Sequence, residues 1–360
     1  MALNFSVSPR RKACRSAAHL VPRATPSRKK AKPLVLFIVG PTSSGKTPLA
    51  LELAKRLGGE ILSADSMLVY KGMDIGTAKP SRKELKQVPH HGIDLITPSK
   101  SFSVFEYHRY ALKAIAGIVK RGKIPIIAGG TGFYVRALLE GLSPLPGANS
   151  AFRDKLEQEA QAEGPEGLYR RLLKLDPKRA KAIGPQNVRR LIRALEICEV
   201  SGKRASEATQ KSPGLRALGY KPFVIGLNRD RAALYQSINQ RVDKMFRRGL
   251  VREVQKLSHG KFSKTALQGV GYKEVLSWLY PCITPYTPGV SRAPHPVCTG
   301  ARKISLGEAK ERIKQATRHF AKRQWTWFKR ERGIRWVWWP ERVPVAKMAD
   351  LIIQMVVYDL

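Results

Sequence analysis

Acidic residues are scarce: 27 Asp and Glu stand against 66 Lys and Arg in 360 residues, a net charge of +39. That balance excludes an ordinary near-neutral surface. It favours a polyanionic partner, because a cation laid on a phosphate releases condensed counterions and attracts its partner over a Debye length. Nucleic acid is the class so favoured. Cysteine is scarce too. Cys14, Cys198, Cys282 and Cys298 are too few and too scattered for a disulfide framework, which fits a reducing compartment. Cys282, His295 and Cys298 share one segment but lack the paired close spacing of a metal site, so they read as free side chains. No run of about 18 apolar residues occurs, so no membrane span is expected. What is present, 43% hydrophobic and 26% charged residues, suits a folded chain with a sizeable core and two or three domains.

Residues 1–32 differ from the rest. They hold nine Lys and Arg, no acidic residue, and several Ser and Ala. This is the composition of a transit peptide for a mitochondrion or plastid; a disordered RNA-binding tail is the alternative. Without this segment the charge is still +30, so the basic character belongs to the remainder as well.

The apolar run "LVLFIV" (34–39) leads into a glycine-rich loop and then "PLALELAKRL", where Leu49, Leu53 and Leu57 recur every four residues. The order is strand, loop, helix. Further strands are expected at "GEILSA" (59–64), "KIPIIAGGTG" (123–132) and "PFVIGL" (222–227). Strands alternating with helices imply an α/β fold with a parallel sheet and ligands beyond its carboxyl edge. "GLSPLPG" (141–147) breaks the rhythm and opens a helical stretch. The expected division is a P-loop α/β core over 33–142, a helical insertion over 143–220, the second part of the core over 221–340, and a tail or helix over 341–360. Within the second part, 281–303 is a proline-rich loop. Two amphipathic helices are expected there, one with Leu234, Ile238, Val242 and Met245 on its apolar face, the other with Ile313, Ala316, Phe320 and Trp327.

Gly40, Pro41, Thr42, Ser43, Ser44, Gly45, Lys46 and Thr47 satisfy G-x-x-x-x-G-K-[ST] in a strand-to-helix setting. The glycines let backbone N–H groups converge on phosphate oxygens, and the helix N-terminus adds positive potential. Lys46 supplies a point charge and Thr47 a hydroxyl for Mg²⁺. The pattern fixes polyphosphate binding and leaves the reaction open, since ATP-binding kinases, ATPases and GTPases share it. A hydrolysing motor needs an apolar strand ending in an acid; here the strand after the first helix leads to Asp65, and the later "PIIAGG" strand ends in glycines. A small-molecule kinase survives that test.

Longer strings narrow the choice. "ILSADSMLVYKGMDIGTAKP", "HHGIDLITPSKSFSVFEY", "PIIAGGTGFYVRALLEGL", "RRLIRALEICEVSGK", "GVGYKEVL" and "ATRHFAKRQWTWF", with the P-loop, run in order from about residue 34 to 336. The chain resembles the tRNA dimethylallyltransferases, also called tRNA isopentenyltransferases, of the bacterial and organellar type. The resemblance implies transfer of the dimethylallyl group of dimethylallyl diphosphate to N6 of the adenine 3′ to the anticodon, adenosine 37, with release of diphosphate. It implies catalytic roles for Asp65, as base toward the adenine amine, and for Thr131. The P-loop and Arg241 would then hold a leaving diphosphate whose charge grows in the transition state. Read alone, the alternatives are a helix cap or Mg²⁺ ligand for Asp65, a turn residue for Thr131 and, favoured there, a solvated helix arginine for Arg241.

The resemblance assigns the tRNA anticodon loop to Asp65, Ser66, Met67 and Leu68, to Arg153, to Arg189, Arg190, Leu191, Ile192 and Arg193, and to Gln268, Gly269, Val270, Gly271, Tyr272 and Lys273. The target adenine must leave its stack to react, and single-stranded loops are held by base contacts and by cations on phosphates. Gly184, Gln186 and Asn187 stand where the family shows His, Asn and Asp, and Leu68 where glutamine is common. Within the same fold an adenylate isopentenyltransferase is the alternative, though so basic a chain argues against so small an acceptor. A monomer is expected.

Overall fold

In a computed structural model, residues 31–143, 145, 147–207, 212–280 and 304–359 are described. The basic N-terminal segment before residue 31 and the loop bearing Cys282, His295 and Cys298 lie outside them. In chain order the elements are β1 (Leu34–Val39), α1 (Lys46–Leu57), β2 (Glu60–Ser63), α2 (Arg82–Gln87), β3 (His90–His91), α3 (Val104–Lys120), β4 (Pro125–Gly129) and α4 (Gly132–Glu140). There follow α5 (Ser150–Glu163), α6 (Glu166–Leu175), α7 (Pro177–Ile183) and α8 (Val188–Ser201). Then come β5 (Lys221–Asn228), α9 (Arg231–Arg247), α10 (Leu250–Ser258), α11 (Tyr272–Leu279), α12 (Leu306–Lys329), β6 (Ile334–Trp338) and α13 (Val345–Asp359). The chain divides into two compact units, one of residues up to Leu138 and from Gly219 onward, the other Leu139–Leu218.

The larger unit is built on a six-stranded sheet in the order β3-β2-β4-β1-β5-β6, and every pairing is parallel. β1 lies between β4 and β5, with Leu36 opposite Ile126 and Phe223. Its Leu36, Phe37, Ile38 and Val39 have no exposed surface, which explains an uninterrupted apolar run in place of alternation. Each such side chain stabilises the fold by about 1.5–3 kcal/mol. Leu49, Leu53, Met348, Ala349, Ile352 and Val356 pack into one cluster, so the C-terminal helix α13 covers α1 and the core.

Two strands lie outside the sequence expectation. β3 is a two-residue strand, too short to show a period, and β6 ("IRWVW") carries an arginine among tryptophans at the sheet edge. The expected apolar face of α9 is buried as read. On α12 the buried face differs: Ala309, Ile313, Thr317, Ala321, Gln324 and Phe328 line it, while Ala316, Phe320 and Trp327 are half-buried. Two polar residues on the inward stripe displaced the reading by part of a turn.

The smaller unit is four helices around Leu156, Leu168, Leu172, Ala180, Leu191, Ile192, Ala194 and Leu195. Buried Glu196 ties it together, accepting from the Asn149 backbone at 2.6 Å, from Arg153 Nε at 2.9 Å and Nη2 at 2.6 Å, and from Arg193 Nη1. Asn187, one of the departures from the family pattern, caps α8 by accepting from the Arg190 backbone.

Candidate active site

Strand order brings the candidate residues together. The loops leaving β2, β4 and β1 carry Asp65, Thr131 and the P-loop, and β4 lies between the other two. Adjacent strands sit roughly 4.8 Å apart, so Asp65 and Lys46 emerge about two strand spacings from one another with Thr131 between. All three leave carboxyl ends, where a parallel sheet binds its ligands.

The P-loop is shaped by backbone conformations that only some residues adopt. Gly40 and Gly45 have φ of 145° and 97°, and a Cβ on Gly45 would meet the Trp339 ring at 2.6 Å. Ser43 is left-handed at φ 62°. The hydroxyls of Ser43 and Ser44 are buried and make no hydrogen bond among the described residues, as expected of a cradle built for oxygens from outside the chain. Lys46 folds back so that Nζ donates to the Pro41 carbonyl at 2.6 Å. Burial pulls its pKa down to about 7; the Asp65 charge opposes the shift and Arg241 reinforces it. An anion in the cradle would restore the charged form. Burial likewise lowers the Arg241 pKa, with Asp65 opposing. Arg241 is on α9, and its Nη2 donates to the Thr77 carbonyl at 3.1 Å.

Asp65 is half-buried, and its Oδ1 accepts from the Met67 backbone at 2.9 Å. No hydrogen bond to the other oxygen is found among the described residues. Its neighbours are aromatic as well as cationic: Tyr107 and Tyr134 stack with ring centroids 3.8 Å apart. Both phenols are pushed up by burial first, and the Asp65 charge adds to the shift. Thr131 links this loop to the next. Its N–H donates to the Ala64 carbonyl at 3.0 Å, and its Oγ1 accepts from the Ser66 backbone at 2.9 Å.

The segment after Asp65 is held by two clamps. Lys79 is buried and donates to the Tyr70 carbonyl, Asp74 and Asp94. Glu253 of α10 accepts from the backbone of Asp74, Ile75 and Gly76 at 3.0, 2.7 and 3.1 Å and from the Tyr272 hydroxyl at 2.6 Å. Sequence reasoning missed Glu253, for a single Glu in an amphipathic helix carries no signal.

The residues assigned to tRNA divide by exposure. Asp65, Ser66, Met67 and Leu68 are half-buried at the site. Gln268 and Lys273 are exposed and Val270 half-buried, whereas Gly269, Gly271 and Tyr272 are buried, the last under Gly76 and bonded to Glu253. In the smaller unit Arg189 and Arg190 are exposed, but Leu191 and Ile192 belong to the four-helix core, so their side chains cannot reach RNA. The helical period turns them inward. Arg153 and Arg193 are partly exposed and committed to Glu196.

The fold and the cradle are those of a P-loop protein, with a carboxylate in the field of two cations beside the cradle. A family model described as IPP transferase matches residues 68–331, and one described as isopentenyl transferase matches residues 33–98. The chain belongs to the IPP transferase family. It is similar to a tRNA dimethylallyltransferase of Thermoanaerobacter sp. (strain X514), 45% identical over 308 residues, 84% of this chain and 90% of the relative. The tRNA dimethylallyltransferase of Geobacter metallireducens is 42% identical over 311 residues, covering 86% and 94%. Among solved structures, the tRNA isopentenylpyrophosphate transferase of Bacillus halodurans is 37% identical with a TM-score of 0.63, covering 91% of this chain and 96% of that one. A eukaryotic dimethylallyltransferase acting on tRNA gives 0.72 at 28% identity, covering 91% and 80%.

Proposed function

We propose that the protein transfers the dimethylallyl group from dimethylallyl diphosphate to N6 of adenosine 37 of tRNA, releasing diphosphate. The observation that carries this reading is the placement of Asp65, Thr131 and the P-loop at the ends of three consecutive strands of the sheet, β2, β4 and β1, with Lys46 and Arg241 both in the field of Asp65. The N6 lone pair forms the new bond to the allylic C1; the C1–O bond breaks and its electron pair leaves with diphosphate. The proton lost from N6 goes to the Asp65 carboxylate, whose second oxygen is free to accept it. Thr131 fixes the backbone around Asp65 and offers its hydroxyl beside the same base. P-loop amides, Lys46 and Arg241 stabilise the diphosphate more as its charge grows, which accelerates transfer and not merely binding.

Mg²⁺ fits the donor set. Thr47 is exposed in the first turn of α1, where its hydroxyl can ligate a cation whose other ligands come from diphosphate and water. Thr47 would hold it, and when bound it neutralises diphosphate charge. Arg189 and Arg190, with the exposed Gln268 and Lys273, are the proposed tRNA contacts. The reading includes a monomer and an organellar address in residues 1–32.

The test is purified protein with Mg²⁺ and labelled dimethylallyl diphosphate, offered unmodified tRNA or AMP. Label in tRNA is expected. Label in AMP alone would replace this reading with the adenylate transferase, and ADP formation from ATP without label transfer would replace it with a kinase.

A further inference from the structure

The proposed chemistry needs a fixed separation between the diphosphate cradle and Asp65, yet these lie on strands that are not neighbours. A buried amide connects them. Gln324, on the inward face of α12 and 6% exposed, accepts at Oε1 from the Thr42 backbone of the P-loop at 2.8 Å. Its Nε2 donates to the Gly130 carbonyl at 2.9 Å. Thr42 N–H can only donate and the Gly130 carbonyl can only accept, so the orientation of the amide is determined. Gly130 precedes Thr131, whose bonds to Ala64 and Ser66 continue the connection to the loop of Asp65. The fit is close: a Cβ on Gly130 would stand 2.1 Å from Gln324 Nε2.

The helix behind Gln324 is itself anchored to the helix that carries Arg241. Lys310 and Lys314 pair with Asp243, Arg318 Nη1 donates to Asn239 Oδ1 at 2.8 Å, and Ala321 packs with Leu234 and Ile238. One rigid element therefore braces the P-loop, the Thr131 loop and the Arg241 helix together.

We propose that Gln324 is a positioning residue for prenyl transfer, fixing the distance from the P-loop to the Thr131–Asp65 side of the site. The inference rests on the proposed reaction. Gln324→Met keeps the length and neutrality of the side chain and removes both hydrogen bonds. Its kcat should fall on the order of 10–100-fold, as small misplacements of reacting groups do. KM for dimethylallyl diphosphate should stay within about threefold, because Lys46 and the other cradle amides are untouched. Gly130→Ala reaches the same state from the other side, since the new methyl must displace the Gln324 amide. Gly130 is not left-handed, so its backbone accepts alanine. The double variant should lose no more than either single one, because both sever one connection.

A second readout needs no reaction. Exchange of the Thr42 amide hydrogen in the unliganded protein should be slow in the wild type and at least tenfold faster in Gln324→Met. Unchanged kcat in a folded Gln324→Met, a tenfold or greater rise in KM with constant kcat, additive losses in the double variant, or unaltered Thr42 exchange would each overturn the proposal. A wild-type protein that fails to label tRNA while Thr42 exchange behaves as expected would instead overturn the proposed reaction.

Discussion

Removing the Glu196 carboxylate should destabilise the smaller unit selectively. Glu196 has no exposed surface and receives one backbone and three guanidinium N–H bonds, from Asn149, Arg153 and Arg193. Breaking a fully buried ion pair costs about 3–5 kcal/mol. Here the two arginine side chains are 34% and 33% exposed and can recover some hydration, so about 3 kcal/mol is expected for Glu196→Ala. All six tryptophans, Trp278, Trp325, Trp327, Trp336, Trp338 and Trp339, lie in the larger unit, and the smaller one is helical. Urea titration followed by circular dichroism at 222 nm should thus show a helical transition moved to lower denaturant in the variant. Tryptophan fluorescence should report an unmoved midpoint.

The pH dependence follows from the same contacts. Burial alone would raise the Glu196 pKa, but the guanidinium and backbone donors outweigh it and hold it below the usual carboxylate value. A carboxyl so lowered contributes stability that is complete above the unfolded value, about 4.3, and is lost as pH falls through the folded one. Glu196→Gln should flatten the acid limb of the helical transition. A shift below about 0.5 kcal/mol in Glu196→Ala, or one of equal size in both probes, would refute the argument.

Asp65→Ala should abolish transfer while tRNA binding, measured by filter retention, is preserved; normal turnover would remove Asp65 as the base. Arg189→Ala and Arg190→Ala should weaken all tRNAs alike and each lower the slope of log affinity against log salt by about 1. An unchanged slope would separate that face from the RNA. Glu253→Ala leaves the amides of residues 74–76 and the buried Tyr272 hydroxyl without their acceptor, and should cost about 2–4 kcal/mol on denaturation. Tyr272→Phe should cost about 1 kcal/mol, and equal losses in the two variants would contradict the nest of three amides as the main contribution.

The site was legible in the sequence wherever chemistry required a pattern along the chain. The P-loop needs its glycines and lysine at fixed spacing, and Asp65 and Thr131 follow short apolar strands that announce themselves. Glu253 left no such trace, because its work is done by one side chain across about 180 residues, and Gln324, though it stands in the string "ATRHFAKRQWTWF", acts across 282 residues on partners that the string does not name. Gln324 even disguised itself, since a polar residue on an inward stripe reads as part of the wet face. β6 was illegible for a related reason: this edge strand carries an arginine and an exposed tryptophan, so neither alternation nor a continuous apolar run marks it. In the segments assigned to RNA by resemblance, a contiguous stretch spans both faces of a helix, and only folding tells which side chains point outward.

The cradle that opens at Gly40 is braced by two side chains from much later in the sequence, Gln324 at Thr42 and Trp339 at Gly45. A fragment that stops ahead of α12 therefore carries the complete phosphate-binding motif without the support that gives the loop its shape.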